Sequence, residues 1–431
     1  MIKLIIFILS IFILSHCSFN EKTTIWKDKE IQKEIQKDII KISSKNKKIV
    51  AEFNDELKLD LSKIKMNNKI VDNKNDYGSQ DYTGEIIKVG RYKFSKLENV
   101  KQLNFKPIFF NNGLIFFDKK GSIIRYKENQ KILWKMNHYS KSERKLKPKL
   151  NFVLEGKNLI VTDSIAKYYS VNVNTGTLNW SKSNIYPFNS GIKKSKNKFF
   201  VVDYKNTLRC YNINDGSECW NLQTEDSFTL SNSNFSLIIV DDLVVFNNSV
   251  GDITAVNIET GLITWQLPTQ NSSIINQTYT FKASKLVSDG KSIFFSNNKN
   301  EFYSVDVKTG TTNWINEINS NLTPIISENL LFTVSNEGYL YTLEKNGNII
   351  RITDLFLDYK IKKRENVKPI GFAMGNTKLY LTNTDGKMLV VDLNLGKVIS
   401  IEKVARNLTS RPFISNKNLF VITNGSIIQY N

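Results

Sequence analysis

The sequence predicts an all-β protein: an eight-bladed β-propeller of four-stranded antiparallel blades over residues 81–431. Three observations predict it. One unit recurs eight times at intervals of about 40 to 50 residues, apolar and polar residues alternate with a period of two inside the unit, and a tryptophan recurs at one fixed position. Radial repetition of small antiparallel sheets at this spacing is typical of propellers.

Turn glycines mark the repeat, and successive ones are 40, 45, 49, 37 and 49 residues apart. These glycines are Gly176, Gly216, Gly261, Gly310, Gly347 and Gly396. Gln130 takes the glycine position in the first unit, and the eighth unit ends before reaching it. Glycine accepts the positive φ that a hairpin with a bulge requires, so each glycine predicts a tight turn between two strands.

Each unit contains three recognisable strands. In the fourth unit an apolar run, "LVVF", is followed by a polar turn and an alternating strand, "ITAVNI". The Thr-Gly turn then leads into a strand that contains the tryptophan. We expect the fourth strand of each blade in the variable connection between units, for example around "TPIIS".

Five of the six tryptophans lie four residues after the glycine position: Trp134, Trp180, Trp220, Trp265 and Trp314. A large flat side chain at one point per unit suits sheet-on-sheet docking, where it buries roughly 200 Å² and its N–H reaches a carbonyl. Stacking on a ligand is the alternative. Arg351 and Ser400 replace tryptophan in units six and seven, so we expect different packing there.

The eighth unit lacks its last strand because the chain ends at Asn431. An open propeller would expose a sheet edge, which favours aggregation. The segment Gly84–Phe94, "GEIIKVGRYKF", has strand character and precedes the first full unit. We therefore expect an N-terminal strand to complete the last blade.

The N-terminus predicts export. Residues 1–16 combine a lysine with a short apolar run, too short for a mature membrane-spanning helix. Cys17 ends this run and resembles the acylated cysteine of bacterial lipoproteins, although His16 precedes it where a small residue is usual. Ordinary secretion and an uncleaved anchor are the alternatives. In bacterial lipoproteins, an aspartate directly after the acylated cysteine retains the protein in the inner membrane. The resemblance therefore implies that a chain with Ser18 at this position is sorted to the outer membrane.

Residues 17–80 are polar and lysine-rich, which predicts a tether. The spacing in "KEIQKEIQKDIIKI" predicts a short amphipathic helix within it. The tether is either solvated or lies on anionic headgroups.

Cys210 and Cys219 flank the turn "NINDGSE" symmetrically. In an oxidising compartment they can face each other across a hairpin and form a disulfide. The alternative is a pair of small buried residues without a bond, since cross-strand disulfide geometry is restrictive.

The formal net charge of +19 comes mostly from lysines spread over the whole chain, and no nucleic-acid-binding signature accompanies it. We therefore expect no nucleic-acid partner. The only histidines, His16 and His138, cannot build a His-based metal site or a convincing catalytic triad.

The pattern around "YSVDVKTGTTNW" resembles the pyrroloquinoline-quinone-like propeller repeat over roughly residues 84–431. Together with the lipoprotein-like N-terminus and eight units, the chain is similar to the BamB family of the outer-membrane β-barrel assembly machinery. The resemblance implies a non-enzymatic lipoprotein without cofactors, at the periplasmic face of the outer membrane of a Gram-negative bacterium. It implies binding to the POTRA domains of the barrel-forming subunit within a hetero-complex, as a monomer, and help in presenting unfolded outer-membrane proteins.

Two alternatives remain open because a propeller does not dictate its function. A quinone-dependent dehydrogenase would need a quinone, a calcium cage and often a vicinal disulfide, and no two cysteines are adjacent. A generic envelope scaffold would bind another partner. Three long connections are candidate binding loops: "SKSERKLKPKLN", "NSSIINQTYTFKAS" and "LDYKIKKRENVKP".

Overall fold

The computed structural model describes residues 51–61, 80–98, 103–225, 234–269, 282–406 and 409–431. Cys17, the signal segment 1–16, the predicted short helix, Trp26 and most of the candidate binding loop "NSSIINQTYTFKAS" lie outside the described residues. The described strands form eight separate four-stranded antiparallel sheets, which confirms the predicted eight-bladed propeller.

The first strand, β1 (Lys88–Lys93), belongs to the last blade, and blades 1 to 7 follow it in chain order. Blades 1 to 4 consist of β2 (Ile108–Phe110), β3 (Gly113–Phe117), β4 (Ile123–Tyr126) and β5 (Ile132–Met136); β6 (Leu150–Glu155), β7 (Asn158–Asp163), β8 (Lys167–Asn172) and β9 (Leu178–Ser183); β10 (Lys193–Ser195), β11 (Lys198–Val202), β12 (Thr207–Asn212) and β13 (Glu218–Gln223); and β14 (Leu237–Val240), β15 (Leu243–Asn247), β16 (Ile253–Asn257) and β17 (Ile263–Leu267).

Blades 5 to 7 consist of β18 (Val287–Ser288), β19 (Ser292–Ser296), β20 (Phe302–Asp306) and β21 (Thr312–Asn316); β22 (Ile325–Ser327), β23 (Leu330–Val334), β24 (Tyr339–Glu344) and β25 (Ile349–Asp354); and β26 (Pro369–Met374), β27 (Lys378–Asn383), β28 (Lys387–Asp392) and β29 (Lys397–Lys403). Blade 8 combines β30 (Thr409–Ser415), β31 (Asn418–Thr423) and β32 (Ser426–Tyr430) with β1. Two short helices, α1 (Lys141–Lys145) and α2 (Ile361–Asn366), lie in the connections after blades 1 and 6.

The fourth strand of each blade lies where the sequence predicted it, in the connection before each unit. In blade 6 this strand is β22, from the "TPIIS" segment. First strands of neighbouring blades contact each other, as β2 contacts β6 and β26 contacts β30, so these strands surround the centre of the ring.

The N-terminal strand closes the ring, as predicted. β1 pairs antiparallel with β32, with Arg91 opposite Ile428 and Lys93 opposite Ser426. Ile87 and Asn431 also exchange two backbone hydrogen bonds, of 3.0 and 2.9 Å. The edge that β32 would otherwise expose is therefore covered by the chain's own N-terminal strand.

Interlocking apolar side chains between blades form most of the core. Strands two and three of each blade are almost fully buried; in β3, for example, all five residues are buried. The outermost strands of most blades are largely exposed; in β5, for example, only Trp134 is buried. The apolar clusters extend from one blade to the next, so each blade depends on its neighbours for burial.

Residues 52–61 also pack on the propeller, although the sequence placed them in the tether. Phe53 and Ile352 of β25 exchange backbone hydrogen bonds of 3.1 and 3.0 Å. Further along, the N–H of Leu59 donates to the carbonyl of Asn394, and Leu61 is buried in the cluster shared by blades 6 and 7. The described residues between 52 and 431 belong to one compact unit.

Candidate functional site

Each of the five repeated tryptophans lies at a seam between two blades. Its indole N–H donates to a backbone carbonyl of the following blade, at 2.8 to 3.1 Å. The donor–acceptor pairs are Trp134–Val173, Trp180–Ile213, Trp220–Ile258, Trp265–Val307 and Trp314–Lys345. A buried indole with a satisfied N–H is suited to docking one sheet on the next.

The turn glycine of the next blade lies directly against each indole. A Cβ on Gly310, where φ is +72°, would lie only 2.5 Å from Cδ2 of Trp265. The glycine is therefore needed twice, once for the backbone conformation and once for the space that the indole fills. The sequence indicated only the first reason, because the contact joins residues of different repeats.

A β-bulge sets the position of each docking residue. In β16 and β17, the register shifts between Ala255 and Val256, and Trp265 pairs with Ala255 directly after the extra residue. The corresponding hairpins of blades 1 to 7 all show this shift. The bulge adds local twist, which turns the docking side chain towards the next blade.

At the seam between blades 6 and 7, Arg351 replaces the tryptophan. Its side chain is fully buried and its Cζ lies 2.8 Å from the point where Gly396 would carry a Cβ. The guanidinium donates to the carbonyls of Leu393 and Asn394 in the next blade and to that of Leu57 in the N-terminal segment. Burial lowers the pKa of Arg351.

At the seam between blades 8 and 1, the large and small residues are exchanged. Gly90 occupies the docking position on β1, because it pairs with Gln429 directly after the bulge. Gln130, with φ of +61°, occupies the turn position that is glycine elsewhere. A Cβ on Gly90 would lie 2.9 Å from Nε2 of Gln130.

At the seam between blades 7 and 8, Ser400 holds the docking position and is too small to fill it. Tyr82, from the N-terminal segment, is 1% exposed and lies in the apolar cluster shared by these two blades. Its ring centre is 5.1 Å from that of Tyr380. All three seams without tryptophan therefore use residues that precede the first repeat.

One face of the ring carries the connections between blades. Four alternating strands return the chain to the end of the sheet where it entered, so the described connections emerge on the same side. We call this side, with residues 137–149, 184–192 and 355–368, the connection face. The Thr-Gly turns lie on the opposite side.

The helix α2 is fastened across the seam between blades 6 and 7. Arg364 pairs with Asp354 at 2.6 Å, and Lys363 pairs with Asp385 at 3.2 Å. These two cations face the ring and are matched by acids. Ile361, at 80% exposed, and Leu357, at 67%, point away from it.

The connection around α1 is likewise held to the ring by polar contacts and exposes apolar side chains. Its first turn is closed by a capping box of Ser140 and Glu143, and Glu143 also pairs with Lys167 at 3.2 Å. Leu146 and, on the neighbouring connection, Ile185 are 65% and 80% exposed. The exposed cations of the two helical connections are Lys141, Arg144, Lys145, Lys360, Lys362, Lys363 and Lys368, of which Lys363 is the one paired with Asp385.

A buried acid lies beneath α1. Asp163 accepts hydrogen bonds from the hydroxyl of Tyr139 at 2.6 Å and from the N–H groups of Ile165 and Lys167 at 2.9 and 2.8 Å. Burial outweighs these contacts and raises the pKa of Asp163 to about 6.

Cys210 and Cys219 lie in one hairpin of blade 3, and both are free thiols in the structure. Cys210 is buried in β12, and Cys219 is half-buried in β13. The disulfide between them stays a prediction.

The described residues contain no group of three or more His, Cys, Asp or Glu side chains that could hold a metal ion.

An open concavity of about 510 Å³ lies on blade 1 between Phe110 and Leu133. Arg125 beside it already donates to the carbonyl of Val173 at 2.9 Å. Within the ranges that the structure describes, helices are too short or too polar to cross a bilayer.

At five seams, a tryptophan of one blade packs against the turn glycine of the next blade. The protein is therefore an eight-bladed propeller built from one repeated unit. The family model described as "Outer membrane protein assembly factor BamB" matches residues 119–353, which is more than half of the chain. The chain belongs to this family.

A relative agrees with the family assignment. The outer membrane protein assembly factor BamB of Legionella pneumophila (strain Paris) is 22% identical over 200 residues, covering 45% of this chain and 49% of the relative. The matched region thus spans about half of that relative's length.

Solved structures share the fold. The crystal structure of BamB from Moraxella catarrhalis superposes with a TM-score of 0.66 at 15% identity, covering 80% of this chain and 100% of that one. A quinohemoprotein alcohol dehydrogenase from Comamonas testosteroni gives a TM-score of 0.61 at 8% identity, covering 82% and 78%. At such identities the likeness is one of fold.

Proposed function

We propose that the chain is a non-enzymatic lipoprotein scaffold at the periplasmic face of the outer membrane of a Gram-negative bacterium. It binds the POTRA domains of the barrel-forming subunit and assists the insertion of outer-membrane proteins. Membership of the BamB family is the single observation that carries this proposal. Acylation of Cys17 and a tether that begins there supply the membrane attachment in this account.

The connection face is the proposed docking surface for the partner. It presents exposed Leu357 and Ile361 beside cations that are not needed to fasten α2. Exposed apolar side chains ringed by charge are typical of protein-binding surfaces. The lysines favour an acidic partner surface, because complementary charge speeds encounter and fixes orientation.

Affinity purification from membranes tests the partner. The full chain is tagged at its C-terminus, and the barrel-forming subunit is quantified in the eluate. We expect that subunit to be recovered with the unaltered chain. Recovery of a different envelope protein alone would favour a scaffold with another partner.

A pair of matched variants tests the face. Leu357→Glu introduces a charge on the connection face, and Leu262→Glu does so on the opposite side. The two leucines are equally suitable, at 67% and 69% exposed. We expect Leu357→Glu to lower recovery by about tenfold, the effect of losing a well-packed apolar contact, and Leu262→Glu to leave it unchanged. Equal losses would remove the connection face from the proposal.

A quinone-dependent dehydrogenase is the second candidate, because a quinohemoprotein alcohol dehydrogenase shares the fold. The described residues offer it no cluster of metal ligands. Dye-linked alcohol oxidation by the purified chain, assayed with added quinone and calcium, would favour this candidate over the scaffold.

A further inference from the structure

The hairpin of β12 and β13 places Cys219 beside Cys210. Cys210 pairs with Trp220, and the register shifts so that Cys219 is the extra residue of the bulge. In such a bulge the extra residue and the next one both oppose a single residue of the partner strand. Both cysteines accordingly belong to the apolar cluster between blades 3 and 4.

Two sister blades show how close these positions lie. In blade 2, Nδ2 of Asn179 donates to Oγ of Ser170 at 3.0 Å. In blade 5, Nδ2 of Asn313 donates to Oγ of Ser304 at 3.1 Å. Each serine pairs with the docking tryptophan and each asparagine precedes it, so they occupy the positions of Cys210 and Cys219.

We propose that Cys210 and Cys219 are a disulfide-forming pair that covalently closes the hairpin of blade 3. In the cell this proposal rests on the proposed export, because disulfides persist in oxidising compartments. The hairpin turn already fixes the two strands in register, so closing the link requires adjustment of side chains rather than a new strand pairing.

The reaction is thiol–disulfide exchange with an external disulfide donor. The thiolate of half-buried Cys219 attacks one sulfur of the donor and displaces the other as a thiolate, which gives a mixed disulfide. The thiolate of Cys210 then attacks the Cys219 sulfur and displaces the remaining donor thiolate. The two cysteines lose two electrons and two protons, and the donor is reduced to two thiols.

The environments of the two thiols explain why Cys219 reacts first and Cys210 second. Burial raises the pKa of Cys210, and the neighbouring Cys219 thiol raises it further, which makes Cys210 a poor first nucleophile. Lys198, whose pKa is raised mainly by its hydrogen bond to Glu259, also interacts with both thiols. Cys219 is only half-buried, so its sulfur is the one that an external donor reaches first.

The link would act on a seam between blades. Trp220 follows Cys219 directly, and its indole lies against Gly261 and donates to the carbonyl of Ile258 at 3.1 Å. A covalent bond across the bulge would hold the backbone that presents this indole. The seam between blades 3 and 4 would then be more rigid than the other four seams that contain a tryptophan.

Peptide mapping tests the pair directly. Trypsin cuts after Arg209 and next after Lys282, so one peptide carries both cysteines. The purified, reduced full chain is incubated with oxidised glutathione, denatured and alkylated without reductant. We expect a peptide that takes no alkyl groups and is two hydrogens lighter than its reduced form. Cleavage after Glu218 should leave its two halves joined.

The control is Cys210→Ser combined with Cys219→Asn, which copies the pair of blade 5. It should fold with the same circular dichroism and show no mass change on reduction. Full alkylation of the unaltered chain after glutathione treatment, or lasting adducts on Cys219 alone, would overturn the inference. The redox state of protein taken from cells tests a different point: a chain that closes in vitro but is reduced in cells would refute the proposed export and leave the pair intact.

Discussion

A substitution of one turn glycine tests the docking of blades, and blade 5 supplies its own control. Gly310 and Gly290 both have positive φ, of +72° and +93°. A methyl group on Gly310 would lie 2.5 Å from Cδ2 of Trp265, whereas a methyl group on Gly290 meets nothing within 4 Å. The two alanine variants therefore share the backbone strain and differ in the contact with the indole.

The expected magnitudes follow from these contacts. Alanine at a positive φ costs about 1 kcal/mol, and both variants carry this cost. Overpacking against the indole adds about 1–3 kcal/mol for Gly310→Ala. Displacement of the indole would also weaken its 2.8 Å hydrogen bond to the carbonyl of Val307. We expect Gly310→Ala to lose about 2–4 kcal/mol and Gly290→Ala about 1 kcal/mol.

Urea denaturation gives the free energy of unfolding of both variants. Unfolding is followed by circular dichroism rather than by fluorescence, because the substitution itself changes the surroundings of the fluorescent Trp265. The penalty of Gly310→Ala should shrink when Trp265→Ala is added, because the truncated side chain makes room. Equal destabilisation by the two glycine substitutions, or a penalty that Trp265→Ala leaves unchanged, would refute the docking role of the indole.

Three further predictions test other parts of the structure. Arg351→Ala removes the guanidinium from the buried carbonyl of Leu393 and from those of Asn394 and Leu57. We expect a loss of about 2–4 kcal/mol in urea denaturation and faster hydrogen exchange in residues 52–61; unchanged exchange there would contradict the role of Arg351 in holding this segment. Gly90→Trp should destabilise the seam between blades 8 and 1, and adding Gln130→Gly should restore part of the lost stability by making room for the indole. If the effects of the two substitutions on stability simply add, Gly90 and Gln130 do not exchange the large and small positions of this seam. For Asp163, the folded-state pKa is raised from 3.8 to about 6, so its stabilising contribution is complete below pH 3.8 and is lost as the pH rises through about 6. Asp163→Asn should remove this dependence, worth up to about 3 kcal/mol, and identical pH profiles of the two proteins would contradict it.

The sequence predicted the blades because their chemistry repeats. A tryptophan four residues after a glycine recurs in five units, and that regularity identified both the fold and the residues at the seams. The closing strand followed from the missing end of the eighth unit. Both inferences depend on local patterns that reappear at a fixed spacing.

The parts that the sequence did not predict are those that occur once. Residues 52–61 carry no repeat, and their attachment to Arg351 joins positions almost 300 residues apart. The exchange of Gly90 and Gln130 becomes visible only once the register of β1 is known. The helix α1 did have a readable signal, since Ser140 and Glu143 have the spacing of a capping box.

The most direct test of the proposed function is hydrogen exchange of the full chain, alone and with the isolated POTRA domains of its own organism's barrel-forming subunit. The account predicts slower exchange on binding at residues 141–149 and 355–368, and none at the Thr-Gly turns on the opposite side. Protection confined to those turns, or no binding at micromolar concentrations of both proteins, would contradict it.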